Sequence, residues 1–203
     1  MGYFPFFMDI SGRKCVIAGG GTVAFGKIEK ILPFGADITV IAPEICREIT
    51  EMPVSLKLRD FIDSDIDGAF MAIAATNVSA LNHHIFELCS EKNILCNSVD
   101  DIENCSFIFP ALVSRNDITI GISSGGTSPT FAKYMKEKIT DILDDRMLET
   151  AEILKRCRQY VISCFDTEIQ RKNAMKKLLD FCIEGRSLPD DEMIIRFLED
   201  MKN

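Results

Sequence analysis

The chain has 203 residues, a hydrophobic fraction of 47%, a charged fraction of 27% and a net charge of −8. These values are typical of a globular protein with a substantial core, and no apolar run approaches the roughly 18 residues that a membrane span needs. The acidic charge argues against nucleic acid as the main partner, because binding phosphates requires a basic surface. The apolar N-terminus lacks the basic flank and cleavage site of a signal peptide, so we expect a cytoplasmic protein.

The eight cysteines show no CxxC spacing, and most of them lie within apolar runs. A free thiol in such a run behaves as a small hydrophobic group. We therefore expect buried, free cysteines in a reducing compartment. We expect no metal site, because the sequence contains no zinc-type ligand spacing.

The first informative stretch, residues 14–32, has the pattern of a strand, a tight turn and a helix. Its apolar run ends at three consecutive glycines, after which helical spacing begins at Thr22 and continues until Pro33. A second apolar strand is predicted at residues 38–41. This order is that of the first βαβ unit of a dinucleotide-binding fold.

The glycine turn, which consists of Gly19, Gly20 and Gly21, fits a dinucleotide-binding fingerprint. Gly19 occupies the position of the sharp turn, Gly21 the position where backbone approaches a pyrophosphate, and Ala24 the position where helix packs closely on strand. The following helix N-terminus offers free N–H groups to an anion. Glycine turns also occur where only backbone freedom is needed. Here the strand before the turn, and the helix and second strand after it, favour the dinucleotide interpretation.

Pro43 and Glu44 follow the second strand, about 20 residues after the glycines, where such folds contact a ribose. Glu44 either accepts a hydrogen bond from a ribose hydroxyl or is an early acidic residue of a short helix through Ile49, and the two interpretations are about equally supported. No arginine occurs at this turn to bind a 2′-phosphate, although Arg47 is near. This favours NAD over NADP.

The rest of the sheet is predicted from three apolar segments and one helical pattern. The strands are expected at residues 54–58, 69–75 and 94–97, and the helix at 79–92. We interpret the four aspartates of the loop at 60–67 as solvated. Adjacent histidines on a helix point in different directions, so His83 and His84 are expected at the surface rather than as a metal pair.

Two polar segments are predicted at the carboxyl edge of this sheet, where ligands bind in open α/β folds. Thr76 follows the strand at 69–75, and the segment from Asn97 to Asp101 follows the strand at 94–97. A carboxylate at this edge can accept a proton from a ligand beside a cofactor. On spacing alone, an acidic turn or cap is the simpler interpretation of these aspartates.

Beyond residue 105 the pattern changes to an antiparallel one. The alternation at residues 118–123, after an apolar segment at 111–114, predicts half-buried strands of an accessory or dimerisation region. A hydroxyl-rich turn then leads to a helix that begins with Ser128 as its N-cap and extends to Leu143. The apolar residues of this helix are expected to mark one packed face; they are Phe131, Met135, Ile139 and Ile142.

Lys133 and Lys136 share another face of the same helix. They either form a basic patch at the mouth of a site or are simply solvated, as most lysines are. The remaining sequence predicts helices at residues 147–165, 169–184 and 190–201 without a catalytic motif. We interpret this part as a helical cap or an interface.

Taken together, these segments resemble the siroheme synthase family in its short form, the precorrin-2 dehydrogenases. The resemblance rests on six segments in the same order, which are YFPFF at 3–7, GGGTVA at 19–24, IAAT at 73–76, NSVDD at 97–101, SFIFPA at 106–111 and SSGGTSP at 123–129. It is strong over residues 1–143 and covers the helical remainder only in outline. Six segments in order are more specific than a single glycine motif.

The resemblance implies an α/β fold with a Rossmann-type parallel sheet, a small α+β dimerisation region and a helical C-terminal domain. The implied boundaries are 1–112 for the NAD-binding domain, 113–146 for the dimerisation region and 147–203 for the helical domain. The implied reaction is NAD-dependent dehydrogenation of precorrin-2 to sirohydrochlorin by a homodimer. Some members also insert Fe²⁺ into sirohydrochlorin, and the sequence does not separate these two cases.

The resemblance also implies site residues. The predicted cofactor site combines four carried-over contacts with the glycine turn and Thr76, so that it consists of Gly19, Gly20, Gly21, Thr22, Val23, Pro43, Glu44 and Thr76. Asp100 matches the family's catalytic aspartate, which reverses the preference for a simple turn. The substrate-binding residues suggested by position are Asn97, Ser124, Gly125 and Lys133. Ser124 is included because it matches a serine that is phosphorylated in a relative.

The sequence departs from the family pattern at two points. Thr22 stands where many relatives carry an acidic residue, which makes the cofactor turn less negative. The chain ends at Asn203, before the methyltransferase domain of larger siroheme synthases, so we expect methylation to come from another protein. A non-catalytic NAD(H) or tetrapyrrole sensor is a third function, but the acidic charge argues against a DNA-reading output.

Overall fold

The computed structural model of the chain describes residues 3–99, 101–185 and 187–202. The chain forms two compact units, an N-terminal unit (Met1–Pro110) and a C-terminal unit (Ala111–Asn203). The three-part division with boundaries after residues 112 and 146 stays a prediction. Among the described residues, no helix combines the length and the apolar character needed to cross a membrane.

The N-terminal unit is built on a parallel five-stranded sheet in the order β3-β2-β1-β4-β5. The strands are β1 (Lys14–Ala18), β2 (Asp37–Ile41), β3 (Ser55–Lys57), β4 (Met71–Ala74) and β5 (Leu95–Ser98). The helices are α1 (Thr22–Ile31), α2 (Arg47–Thr50) and α3 (Ser79–Glu91). Two short 3₁₀ helices lie at Leu32–Phe34 and Asp63–Ile66. This architecture confirms the predicted Rossmann-type sheet.

The central strands are apolar because helices cover both faces of the sheet. All four residues of β4 are buried, and so are the last four residues of β1. One core cluster joins α1 and α2 to the sheet through Ile28 and Ile49, and the other joins α3 through Ile85. Helix α1 is followed by the 3₁₀ turn containing Pro33, and Gly35 then adopts the left-handed conformation with φ of 75°.

The strand order creates a topological switch point at β1. The chain moves from β1 outward to β2 and β3, then returns to form β4 on the other side of β1. Ala18, the last residue of β1, pairs with Ile41 on one side and Ala74 on the other. The connections on the two sides of β1 therefore diverge at the carboxyl ends of the strands, and this is where open α/β sheets bind ligands.

In its described residues, the C-terminal unit consists of an antiparallel hairpin and four helices. Its elements are β6 (Ala111–Arg115), β7 (Ile118–Ile122), α4 (Pro129–Ile142), α5 (Asp145–Cys164), α6 (Glu168–Glu184) and α7 (Asp191–Asp200). Helices α5, α6 and α7 share a core that includes Val161, Leu178 and Leu198. The predicted hairpin and C-terminal helices are thus confirmed.

Helix α4 begins as expected, because Ser128 accepts a hydrogen bond from the Phe131 N–H and Pro129 is the first helical residue. The expected packed face is wrong for Phe131 and Ile142, which are 57% and 64% exposed in the single chain. The reason is that the close contacts of α4 among the described elements are with the hairpin strands β6 and β7, which leave these two side chains of its apolar face exposed.

All eight cysteines are free. Cys15, Cys89, Cys96 and Cys182 are buried, whereas the other four are half-buried. Burial raises the pKa of the Cys15 thiol to about 12, so this cysteine is protonated and acts as part of the core. The expectation of burial is therefore correct for half of the cysteines.

Candidate dinucleotide site

A cleft of about 690 Å³ lies at the carboxyl ends of β1, β2 and β4. Its lining comes from residues 19–23, 41–46, 60–61 and 75–78, together with Leu81. The fold thus brings together all of the residues predicted to contact a cofactor, which are Gly19, Gly20, Gly21, Thr22, Val23, Pro43, Glu44 and Thr76.

The glycine turn is held between the ends of β2 and β4. Gly19 has φ of 120°, and its N–H donates to the carbonyl of Ile41 at 2.9 Å. A Cβ atom added at Gly19 would lie 2.2 Å from the Ala75 carbonyl oxygen, and one added at Gly20 would lie 2.3 Å from the Glu44 carbonyl oxygen. Neither position therefore accommodates a side chain.

Gly21 differs from its two neighbours because it faces open space. No atom lies within 4 Å of a Cβ built there. Gly21 is the N-cap of α1 and provides no side-chain cap, and the first turn of α1 contains no acidic residue. Ala24 is fully buried against the sheet. The helix N-terminus therefore presents backbone N–H groups to the cleft, an arrangement suited to a phosphate group.

Glu44 lies on the cleft wall after β2. Helix α2 begins three residues later, at Arg47, so the alternative placement of Glu44 within the short helix is wrong. Arg47 forms an exposed ion pair with Glu51. Among the described lining residues, Glu44 and Asp60 are acidic and none is lysine or arginine. The described lining therefore offers an acceptor to a ribose hydroxyl but no cation to a 2′-phosphate.

Asn82 fixes the segment after β4, a role that sequence analysis missed. Its Oδ1 accepts from the N–H of Thr76 at 3.1 Å and from the Thr76 hydroxyl at 2.7 Å, while its Nδ2 donates to the Thr76 carbonyl at 3.0 Å. Asn82 is 7% exposed. The available signal was its helical spacing with Ile85 and Cys89, which places a polar side chain within the apolar face of α3.

The interpretation of the acidic loop as solvated is wrong for Asp65, which is 4% exposed. Its carboxylate accepts from both terminal guanidinium nitrogens of Arg59 at 2.6 and 2.7 Å, from Lys57 Nζ at 3.0 Å and from the Ile62 N–H at 3.0 Å. The hydrogen bonds from Arg59 are the main reason why the pKa of Asp65 lies well below its usual range despite burial. The Ile62 N–H and the Lys57 ammonium lower this pKa further. Asp65 is therefore a structural carboxylate.

Asp100, the predicted catalytic residue, lies outside the described residues. The residue before it, Val99, follows β5 and remains attached to β4, because its N–H donates to the Ala74 carbonyl at 2.9 Å. Asp101 is engaged within its own turn, where its carboxylate accepts from the Glu103 N–H at 3.1 Å and from Asn104 Nδ2 at 2.6 Å.

Asn97 is 5% exposed and does not line the cleft. Its Nδ2 donates to the Phe107 carbonyl at 3.0 Å, and its Oδ1 has no partner among the residues that the structure describes. The assignment of Asn97 to substrate binding stays a prediction. Its amide nitrogen already donates a hydrogen bond within the chain, which connects β5 to the segment at Phe107. The Cys105 sulfur fastens the same region, because it lies 3.2 Å from the Ser98 nitrogen and 3.1 Å from the Asp101 carbonyl oxygen.

The other residues assigned to substrate belong to the C-terminal unit. The Ser124 hydroxyl donates to the Ser128 carbonyl at 3.0 Å and accepts from the Ser128 N–H at 3.1 Å, which closes the turn before α4. Gly125 has φ of 62°, and Lys133 is exposed on α4. Their role in binding stays a prediction.

The two histidines lie at the surface, as predicted. His83 pairs with Glu87 and His84 with Asp63. Within the described part of the chain, no group of three or more histidine, cysteine or acidic side chains is placed to hold a metal ion.

The fold and the cleft define a Rossmann-type dinucleotide-binding protein. A family model described as “Putative NAD(P)-binding” matches residues 6–111, and one described as “Sirohaem biosynthesis protein central” matches residues 115–142. The chain belongs to the siroheme synthase family.

The similar curated proteins carry the same family name. The siroheme synthase of Pseudoalteromonas translucida is 32% identical over 100% of this chain and 44% of its own length. That of Buchnera aphidicola is 33% identical over 88% of this chain and 38% of its own length. The chain thus spans less than half the length of these relatives. The solved structure of SirC, a precorrin-2 dehydrogenase, has the same fold, with a TM-score of 0.76 at 24% identity over 98% of this chain and 99% of that chain.

Proposed function

We propose that this protein is a precorrin-2 dehydrogenase that uses NAD⁺ to convert precorrin-2 to sirohydrochlorin. The observation that carries the proposal is the cleft at the switch point, where a glycine turn, an open helix N-terminus and Glu44 meet without a lysine or arginine among the described lining residues. The names of the relatives support a role for this cleft in siroheme biosynthesis. The name of SirC supplies the specific reaction.

The residues of the cleft fit a dinucleotide. The backbone at Gly21 and the first turn of α1 would hold the pyrophosphate, because the space above Gly21 is open. Glu44 would accept a hydrogen bond from a ribose hydroxyl, and Thr76 would contact the half of the dinucleotide that lies nearer β4 and β5. When bound there, NAD⁺ supplies the hydride acceptor.

Asp100 is the proposed general base. As a hydride leaves precorrin-2, the substrate also loses a proton, and a carboxylate after β5 is suited to accept it. Asp101 is a poorer candidate, because its two carboxylate oxygens already accept hydrogen bonds within the turn. The neighbouring pair of aspartates therefore offers one candidate base and one matched control.

The experiment is anaerobic incubation of the protein with enzymatically made precorrin-2 and NAD⁺, following sirohydrochlorin and NADH by absorbance. We expect the two products to appear together, Asp100→Asn to abolish their formation and Asp101→Asn to retain most of the rate. Both variants should unfold at the wild-type urea concentration. Near wild-type turnover by Asp100→Asn would remove the assigned base, and no turnover by folded wild-type protein with either NAD⁺ or NADP⁺ would overturn the proposal.

The same assay tests Fe²⁺ as a second substrate. Iron added after sirohydrochlorin has accumulated should be inserted faster with the protein than without it if the protein is bifunctional. Equal rates would leave dehydrogenation as its single reaction in this sequence of steps.

The proposal includes a cytoplasmic homodimer. A second copy is supported by the apolar side chains that α4 exposes in the single chain, including Phe131, Tyr134 and Ile142. Light scattering of the wild-type protein should give twice the monomer mass, and Phe131→Asp should lower the measured mass.

A further inference from the structure

The walls of the cleft follow the order of the strands. The glycine turn comes after β1, Glu44 comes after β2, and Asp60 and Phe61 come after β3. Because the sheet order is β3-β2-β1-β4-β5, these three features succeed one another in one direction along the carboxyl edge. A dinucleotide with its pyrophosphate at the glycine turn and its ribose at Glu44 therefore directs the attached base toward Asp60 and Phe61.

The chemistry of these two residues suits an adenine. Phe61 lines the cleft and also packs against the core cluster that contains Ile66 and Ile85, so its ring offers a supported apolar surface. Asp60 is exposed, and its carboxylate is an acceptor without any donor capacity. Adenine presents an apolar face and a 6-amino donor, whereas hypoxanthine presents a carbonyl oxygen in place of that donor.

The backbone that carries Asp60 and Phe61 is held on both sides. Arg59 donates to the Asp60 carbonyl at 2.8 Å and at the same time binds the buried carboxylate of Asp65. On the far side, the Ile62 N–H donates to the same carboxylate. This Arg59–Asp65 corner is therefore ordered before any ligand arrives, which lowers the entropic cost of binding.

We propose that Asp60 and Phe61 form the adenine subsite of the cleft, in which Phe61 contacts the base and Asp60 accepts a hydrogen bond from its 6-amino group. The inference rests on the proposed function, because it requires a bound NAD. It adds a specificity for the base to a site otherwise defined by phosphate and ribose contacts.

The test is equilibrium binding, followed by the fluorescence of the reduced nicotinamide. The ligands are NADH and reduced nicotinamide hypoxanthine dinucleotide, which differ at position 6 of the base, an amino group in one and a carbonyl oxygen in the other, and in the proton that hypoxanthine carries on N1. We expect the wild-type protein to bind NADH about tenfold more tightly, the size of one hydrogen bond to a charged group. Asp60→Asn should bring the two affinities together, because an amide both donates and accepts.

Asp63→Asn is the matched control, since Asp63 belongs to the same loop, is exposed and does not line the cleft. This variant should keep the wild-type preference for adenine. Phe61→Leu should weaken NADH binding while leaving the affinity for reduced nicotinamide mononucleotide, which has no adenosine, unchanged.

The outcomes separate the inference from the proposed function. If wild-type protein binds neither dinucleotide, the proposed function fails. If it binds both equally well, or if Asp60→Asn keeps the preference for NADH, the adenine subsite is wrong while the dinucleotide site stands. Equal weakening of NADH and of the mononucleotide by Phe61→Leu would also overturn it.

Discussion

Two walls of the cleft are built in different ways. The glycine turn is positioned by the backbone, since two of its residues lie too close to the carbonyl oxygens of neighbouring segments to carry a side chain. The Arg59–Asp65 corner is positioned by side chains, since one buried carboxylate gathers two cations and a backbone N–H. Lys14, at the start of β1, reinforces it by donating to the Asp65 carbonyl.

The difference matters for how each wall responds to change. The turn contains no titratable group, so its geometry does not depend on pH. The corner depends on the charge of Asp65, so it weakens when that carboxylate is protonated. Substitutions that act on one wall at a time therefore test whether the backbone positions the glycine turn and whether side chains position the corner.

The largest expected effect follows Gly19→Ala. The new methyl group would need both a positive φ of 120° and a separation of 2.2 Å from the Ala75 oxygen, so the turn must move. We expect the free energy of unfolding in urea to fall by about 3 kcal/mol, with loss of NADH binding.

Gly21→Ala is the control for that substitution, because it adds the same methyl group in open space. Its unfolding free energy should stay within about 1 kcal/mol of wild type, the range for replacing a glycine N-cap by alanine. NADH binding should still weaken, because the methyl group occupies the side of the turn that faces a phosphate. Equal destabilisation by both variants would contradict the backbone account of this wall.

Asp65→Asn tests the other wall, the Arg59–Asp65 corner. At neutral pH we expect a loss of about 2 kcal/mol in unfolding free energy, the size of a hydrogen-bonded contact to a charged group. The folded state lowers the pKa of Asp65 from its usual 3.8. Its contribution is therefore present above that value and is lost as the pH falls below it, when the unfolded carboxyl binds its proton first.

The measurement is urea unfolding of wild type and Asp65→Asn at neutral pH and at a pH below 3.8. The difference between the two proteins should shrink in acid, whereas the deficit of Gly19→Ala should not change. A difference that is constant with pH would show that Asp65 does not carry the corner by its charge.

Asn82→Ala tests whether the segment after β4 is positioned by a side chain, as the Arg59–Asp65 corner is, or by the backbone, as the glycine turn is. Its three hydrogen bonds to Thr76 would be lost within a buried environment. We expect a loss of about 1.5 kcal/mol and weaker NADH binding. Ser90→Ala, on the exposed side of the same helix, should change the unfolding free energy by less than about 0.5 kcal/mol. Wild-type stability of Asn82→Ala would mean that the backbone alone holds this segment.

The smallest effect concerns the choice of cofactor. Wild-type protein should bind NADH more tightly than NADPH, because Glu44 and Asp60 face the cleft without a cation among its described lining residues. Glu44→Gln should reduce this preference about tenfold without changing stability, since one charged hydrogen-bond acceptor is removed. Glu48→Gln carries the same charge change outside the cleft lining and should keep the preference. An unchanged ratio for Glu44→Gln would remove Glu44 from the ribose contact.

The sequence by itself determined the order of strands and helices in the N-terminal unit and the place of the glycine turn. Those features depend on neighbouring residues: apolar runs mark buried strands, and consecutive glycines permit close backbone approach. It also predicted the cap of α4, because Ser128 and Pro129 act within a single turn.

Only the tertiary structure decided which polar side chains are buried and what they hold. Asp65, Asn82 and Asn97 are polar residues whose partners lie within about ten residues along the chain but outside their own helix or strand. An aspartate in an acidic loop has the same local pattern whether it is solvated or buried. The exposed part of α4 was missed for the same reason, since helical spacing shows that a face is apolar but not whether the chain covers it. Periodicity is a local property, whereas burial depends on contacts between distant segments.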